Sequence, residues 1–175
     1  MTVTTIPTAG IADNAVTAAK ASGFGRIGQV IYTRYTTQTR TTSDSYVDSG
    51  FSASITPSLS SSKILVHFEL HFETFGNDAD TEYGGNFKIV RTLSGSDTDV
   101  FIEPNDMPRI KNAYTGSSFA RLNFSLSELD EPSTTSACTY KIFMKTRDNG
   151  ATTNNRLSIS EDSSISTVTL MEVLA

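Results

Sequence analysis

The sequence predicts an all-β protein, an antiparallel β-sandwich with a short N-terminal extension. Three observations predict it. The first is the alternation in Lys63–Thr74, KILVHFELHFET. Ile64, Val66, Phe68, Leu70 and Phe72 fall on one face of a strand, and Leu65, His67, Glu69, His71 and Glu73 on the other, which reads as one buried and one wetted face. At 3.6 residues per turn the same large side chains would scatter around a helix. The second is recurrence: about eight short alternating segments are separated by turn-forming Gly, Pro, Asp, Asn and Ser. The third is composition. Ser and Thr make up roughly a quarter of the chain, helix formers are sparse, and Thr, Val, Ile, Phe and Tyr dominate the periodic segments.

A length of 175 residues suits one domain with a substantial core and a short appendage. The net charge is −5 and the chain has no Lys/Arg cluster, so no nucleic-acid partner is expected. One cysteine, Cys138, excludes an internal disulfide framework and reads as a small core residue. No run of about 18 apolar residues occurs, so no membrane insertion is expected. The first residues lack a basic segment followed by an apolar one, so no secretion signal is expected.

In chain order, residues 1–27 form a separate N-terminal segment. Met1–Gly10 reads as extended or irregular. Ile11–Ser22 is Ala-rich and can hold a short helix, with Asp13 as N-cap and Gly23 as its stop. Ile11, Ala15, Ala18 and Ala19 would line one face of that helix. A helix this short is marginal alone in water, so the stripe points to packing on another chain or docking to a partner, with a flexible tail as the alternative. Gly23, Gly25 and Gly28 read as a hinge into a β-domain spanning 28–175.

Gln29–Arg40 alternates loosely, with both faces of mixed polarity, as at a sheet edge or subunit boundary. Ser43–Gly50 reads as a turn. Phe51–Thr56 is a short strand with Phe51, Ala53 and Ile55 inward, ended by Pro57. After the Lys63–Thr74 strand, Gly76–Asp80 is a polar loop. Glu82–Leu93 is a strand with Phe87, Ile89 and Leu93 inward, and its Gly84-Gly85 pair predicts a bulge or a close backbone approach. A glycine turn in Ser94–Asp97 leads to a brief strand, Asp99–Glu103. Pro104–Ser118 is the longest irregular stretch, and such loops are usually functional or disordered. In Phe119–Leu129, Ala120, Leu122, Phe124 and Leu126 face in. Ala137–Arg147 turns Cys138, Tyr140, Ile142 and Met144 to one face. Asp148-Asn149-Gly150 is a turn, and Arg156–Ser160 and Ser164–Leu174 close the domain. The last strand is apolar on both faces, so it is central in its sheet or covered by a neighbouring chain. About eight antiparallel strands with no helical period between them fit a jelly roll; an immunoglobulin-like sandwich fits less well, since no Trp is present.

Little here carries chemistry. His67 and His71 are ~13 Å apart along a strand at 3.3 Å per residue, too far to share a metal. Either can pair with Glu69, but a zinc site needs further His or Cys, so His67, Glu69 and His71 read first as a polar outward face, and as a pH-sensitive one if it lies at a subunit boundary. Asn77, Asp78, Asp80 and Glu82 lack the rest of a calcium loop and read as a solvated turn. No nucleophile elbow, phosphate-binding glycine loop or zinc-protease motif occurs, so neither enzymatic activity nor a cofactor is expected.

The segment IPTAGIADNAVTAAKASGFG resembles the N-terminal segments of bacteriophage tail fibre proteins, particularly those of marine and cyanobacterial phages. YVDSGFSASITPSLSSSKILVHFEL, SACTYKIFMKTR and STVTLMEVL resemble the β-domain of the same virion proteins. The resemblance implies a structural virion protein, usually a homotrimer, attached to other virion proteins by its N-terminal segment with its β-knob projecting. It brings no functional residue by position. No shaft of repeats is present, which favours a short fibre or a tail or capsid appendage in a particle assembled in the host cytoplasm. The alternative is a lectin-like carbohydrate-binding module, in which Tyr83, Tyr114 and Phe119 would stack on a host surface glycan. A third, minor reading is a cupin-like metalloenzyme using His67 or His71. A receptor surface would be sought in Gly76–Tyr83, Ser94–Asp99, Pro104–Ser118 and Thr146–Asn155, loops on a rigid scaffold.

Overall fold

The computed structural model describes residues 26–76, 82–103, 109–111, 117–147 and 155–174. They form β1 (Arg26–Tyr35), β2 (Thr39–Thr41), β3 (Val47–Ile55), β4 (Lys63–Gly76), β5 (Glu82–Leu93), β6 (Ser96–Ile102), β7 (Arg109–Lys111), β8 (Ser118–Asp130), β9 (Cys138–Thr146), β10 (Arg156–Ile159) and β11 (Ser166–Leu174), with one 3₁₀ turn at Glu161–Ser163. The expected helix in Ile11–Ser22, the Asn77–Asp80 loop and the Asp148–Gly150 turn lie outside the described residues.

Two antiparallel sheets result. One carries β1, β11, β4, β10 and β2 with β8 on the other side of β4; the other carries β3, β9, β5 and β6 with β7 against β5. β1 and β2 are two pieces of one strand position, as are β6 and β7 along β5, and β10 and β11, which leaves eight positions in the sandwich. The first position pairs with the last (β1 with β11), the second with the seventh (β3 with β9), the third with the sixth (β4 with β8) and the fourth with the fifth (β5 with β6). This is a long hairpin wound into two sheets, the jelly-roll connectivity. Its tip is the Ser94-Gly95 turn. Both residues have positive φ (51° and 83°), the two-residue hairpin geometry that matches strand twist.

The core lies where the alternation placed it. Ile64, Val66, Phe68, Leu70 and Phe72 are fully buried, opposite Phe51, Ala53, Ile55, Phe87, Ile89 and the Cys138–Tyr140–Ile142–Met144 face. Aromatic contacts bridge the sheets: Tyr35 stacks on Phe51 at 4.7 Å, and Phe51 meets Phe68 edge-on at 5.1 Å. A part-buried ionic group also ties them. Asp130 of β8 accepts from Arg91 Nη1 of β5 at 2.7 and 2.5 Å and from the Tyr140 hydroxyl of β9 at 2.7 Å. Gly85 confirms the expected close approach, since a Cβ there would lie 2.5 Å from Leu157 of the facing sheet. β11 is central, between β1 and β4.

Some expectations change. β1 begins at Arg26, and Gly28 is a strand residue rather than part of a hinge. The expected turn at Ser43–Gly50 is half strand: Val47–Gly50 opens β3, and the turn-forming residues mark a bulge. There Gly50 has φ +76°, its N–H bonds Asp48 Oδ1 at 2.8 Å, and the register shifts before Ser52. Leu122, expected inward, is 43 % exposed.

Candidate functional site

The outward face of the larger sheet is the surface with a pattern. Because the strands pair in known register, its side chains form rows across the sheet. Val30, Met171, Leu65 and Leu129 stand directly opposite one another across β1, β11, β4 and β8. Ile27 and Val173, also paired, extend this apolar row towards the sheet's end. Ile27, Val30, Tyr32 and Leu129 all remain 45–60 % exposed. The next row is Tyr32, Thr169, His67 and Ser127, with His67 Nδ1 2.6 Å from Ser127 Oγ. The third is Arg34, Thr167, Glu69 and Ser125.

Both chain ends of the described domain lie at the apolar row: Arg26 pairs with Leu174, and Val173 with Lys63. A buried carboxylate pins this end. Glu172, 1 % exposed, accepts from Ser58 N (2.6 Å), Ser58 Oγ (2.7 Å) and Gln29 Nε2 (2.9 Å). Burial alone would raise its pKa; the hydrogen bonds from Ser58 and Gln29 outweigh burial and hold it at about 2. Glu161 beneath Arg40 behaves alike, burial opposed by the guanidinium and the pKa again about 2. A carboxylate with a depressed folded pKa contributes stability above its unfolded pKa and loses it as pH falls through the folded value. The denaturation midpoint is therefore expected to decline between pH ~4.5 and 2, and Glu172→Gln to make that decline shallower. Urea titrations across that range check it; an unchanged slope in the variant overturns the assignment.

Following β4 away from the termini, the outward rows turn charged and aromatic. Glu73 stands opposite Arg121 of β8 and Ser158 of β10, and Phe75 opposite Phe119 and Arg156. Glu73, expected to face water, is 3 % exposed. Its Oε2 accepts from Arg121 Nε at 2.9 Å and its Oε1 from Arg156 Nη2 at 2.6 Å, so two long arginines from neighbouring strands cover it. Arg121 also pairs with Asp162. The Arg156 guanidinium sits 4.7 Å from the Phe75 ring centre, and that of Arg121 5.3 Å from Phe119.

The residues singled out in the sequence separate. Phe119 is 62 % exposed, as a ligand-stacking ring must be. Tyr83 is corrected: it is 2 % exposed, and its ring fills the place where a side chain at Gly76 would stand, 1.7 Å from a Cβ there. Tyr114 lies outside the described residues, as do Ile11, Ala15, Ala18 and Ala19. His67, Glu69 and His71 follow one another along the outward face, and no group of three or more His, Cys, Asp or Glu close enough to hold a metal occurs among the described residues. Of the four loops expected to bear a receptor surface, most residues of Gly76–Tyr83, Pro104–Ser118 and Thr146–Asn155 lie outside the described residues. The Ser94–Asp99 turn joins β5 to β6 at the terminus-bearing end. Composition and alternation gave no hint of Arg121, Arg156 or Phe75, which become a group only through register.

No protein-family profile and no characterised protein sequence matches the chain. Among solved structures it is similar to the VP2 subviral particle of infectious bursal disease virus, at 14 % identity and TM-score 0.45 over 84 % of this chain and 37 % of that one. The Gt strain of the same virus gives 13 % identity and TM-score 0.40 over 85 % and 39 %, and the Gx strain 10 % and 0.39 over 83 % and 40 %. The chain thus spans about two fifths of the length of these proteins. Likeness at this level assigns neither family nor activity.

Proposed function

We propose that this chain is a structural virion protein, a short homotrimeric bacteriophage fibre forming a tail or capsid appendage. The segment before β1 attaches it to other virion proteins, and the β-sandwich is the projecting knob. The sequence motifs similar to phage fibres support this reading. One structural observation carries it: the apolar row Ile27, Val30, Met171, Leu65 and Leu129, in which Ile27, Val30 and Leu129 are exposed and Met171 and Leu65 between them half-buried. Contiguous apolar surface of this kind marks a protein–protein contact. In a trimer the contact is head-to-tail, the β1 end of the row in one copy meeting the β8 end in the next, and closure after three copies buries all three rows. Arg26, where that segment joins the domain, lies at the same end as the row, so attachment and assembly share one pole.

Light scattering on the full chain tests the proposal. The expected mass is three times 18.9 kDa. Val30→Glu should give the single-chain mass with an unchanged circular dichroism spectrum, since Val30 is 54 % exposed and its replacement costs the fold no more than about 0.5 kcal/mol. A monomeric wild type overturns the trimer. A trimeric Val30→Glu overturns the placement of the contact.

A further inference from the structure

We propose that the Phe75–Phe119–Arg121–Arg156 platform binds an acidic saccharide, a pyranose carrying a carboxylate. The inference rests on the fibre reading only for its orientation: Leu65 in the assembly row and Phe75 in the platform are ten residues apart on one strand, about 33 Å at 3.3 Å per residue. Copies joined at one pole leave the platform open at the other.

Four features define the site. Phe119 presents a ring that is 62 % exposed on an outward sheet face, beside its cross-strand partner Phe75. An exposed aromatic on a rigid strand offers a flat apolar surface to the C–H face of a sugar ring at little cost in side-chain entropy. Two guanidiniums flank the rings, and both are held in place. Each bonds a different oxygen of buried Glu73, and each lies over an aromatic ring. Neither is sealed off, the side chains being 39 % (Arg121) and 28 % (Arg156) exposed. A planar guanidinium fixed in this way is the group best suited to receive a carboxylate.

The two guanidiniums are matched by two carboxylates, Glu73 and Asp162, so a ligand carboxylate enters by displacing the exposed one. Glu73 has both oxygens occupied and neutralises one of the two arginines. The remaining counter-charge, Asp162, is 64 % exposed and reaches Arg121 from the loop side. Its carboxylate marks where an anion sits on Arg121, and a ligand carboxylate replaces it there. Arg40, in the same row as Glu73, is paired with Glu161 and adds no free charge. A neutral sugar uses only the rings. A simple anion uses only the arginines. A uronic-acid unit uses both, which is why the platform selects that class.

The experiment is isothermal titration of the full chain with tetragalacturonic acid, a neutral galacto-oligosaccharide of equal length, and poly-glutamate. Binding of the acidic sugar alone is expected. Phe119→Ala and Arg121→Ala should each weaken it at least tenfold, while Ile102→Ala, an exposed apolar substitution on the other sheet, should leave it unchanged. Equal binding of poly-glutamate shows charge without sugar recognition and overturns the proposal; so does absence of binding, or unchanged affinity in Phe119→Ala. Light scattering on the same samples separates the two claims. A trimer that does not bind overturns the site alone, and a monomer that binds overturns the fibre reading alone.

Discussion

Phe68→Ala is expected to lower the unfolding free energy by about 3–5 kcal/mol, the range for deleting a buried aromatic ring. Phe68 is 0 % exposed at the middle of β4. On its own sheet it stands between Leu126 of β8 and Val168 of β11, and from the facing sheet Phe51 meets it edge-on at 5.1 Å. A rigid strand with hydrogen-bonded neighbours on both sides cannot collapse into the space, so the cavity persists. Stability of small domains is about 5–15 kcal/mol, so this one change removes a large share. Urea denaturation followed by tyrosine fluorescence measures it. A loss below about 1.5 kcal/mol would place the core elsewhere. Leu129→Ala, on the outward face of β8, is the comparison and should cost the isolated domain far less.

Asp130→Ala should also be costly, about 2–3 kcal/mol, because it breaks a part-buried ion pair from one side and leaves the Tyr140 hydroxyl without its acceptor. Asp130 and Arg91 are each 13 % exposed. Removing the carboxylate strands the Arg91 guanidinium and the Tyr140 hydroxyl between the sheets. Burial, reinforced by the hydrogen bond to Asp130, pushes the Tyr140 pKa upward, so the phenol stays protonated and keeps donating. The double variant Asp130→Leu with Arg91→Met removes both charges and should recover much of the loss, since well-packed apolar groups replace buried ion pairs at little cost. Thermal melts of the single and double variants, read as a mutant cycle, decide it. If Asp130→Ala costs less than about 1 kcal/mol, water screens the pair and the sheets are held by apolar packing alone.

Both sites show how far the chain could be read before folding. Side-chain direction in a strand has a period of two, so membership of the inner face was legible residue by residue. Ile64 to Phe72, Phe51 to Ile55 and Cys138 to Met144 all lie where the alternation put them. The bounds of β5 were legible because Ser94-Gly95 and the polar residues before Glu82 punctuate it. The doubly apolar β11 was legible as central or covered, and it is central.

What alternation cannot supply is which residue of a distant strand stands opposite. That depends on register, and register is decided by packing across the whole sandwich. Asp130 meets Arg91 from 39 residues away, and Glu73 meets Arg156 from 83. Glu73 therefore looked like a wetted carboxylate and proved buried, and Tyr83 looked like a surface ring and proved to be packing for Gly76. The sequence alone determined most of the strands and their inner faces; the turn-like Val47–Gly50 and the irregular-looking Arg109–Lys111 became strand only through their pairing with β9 and β5. Only the tertiary structure aligned Val30, Met171, Leu65 and Leu129 into one row and gathered Phe75, Phe119, Arg121 and Arg156 at the other pole. Strands far apart in the chain become neighbours only when their shared core closes.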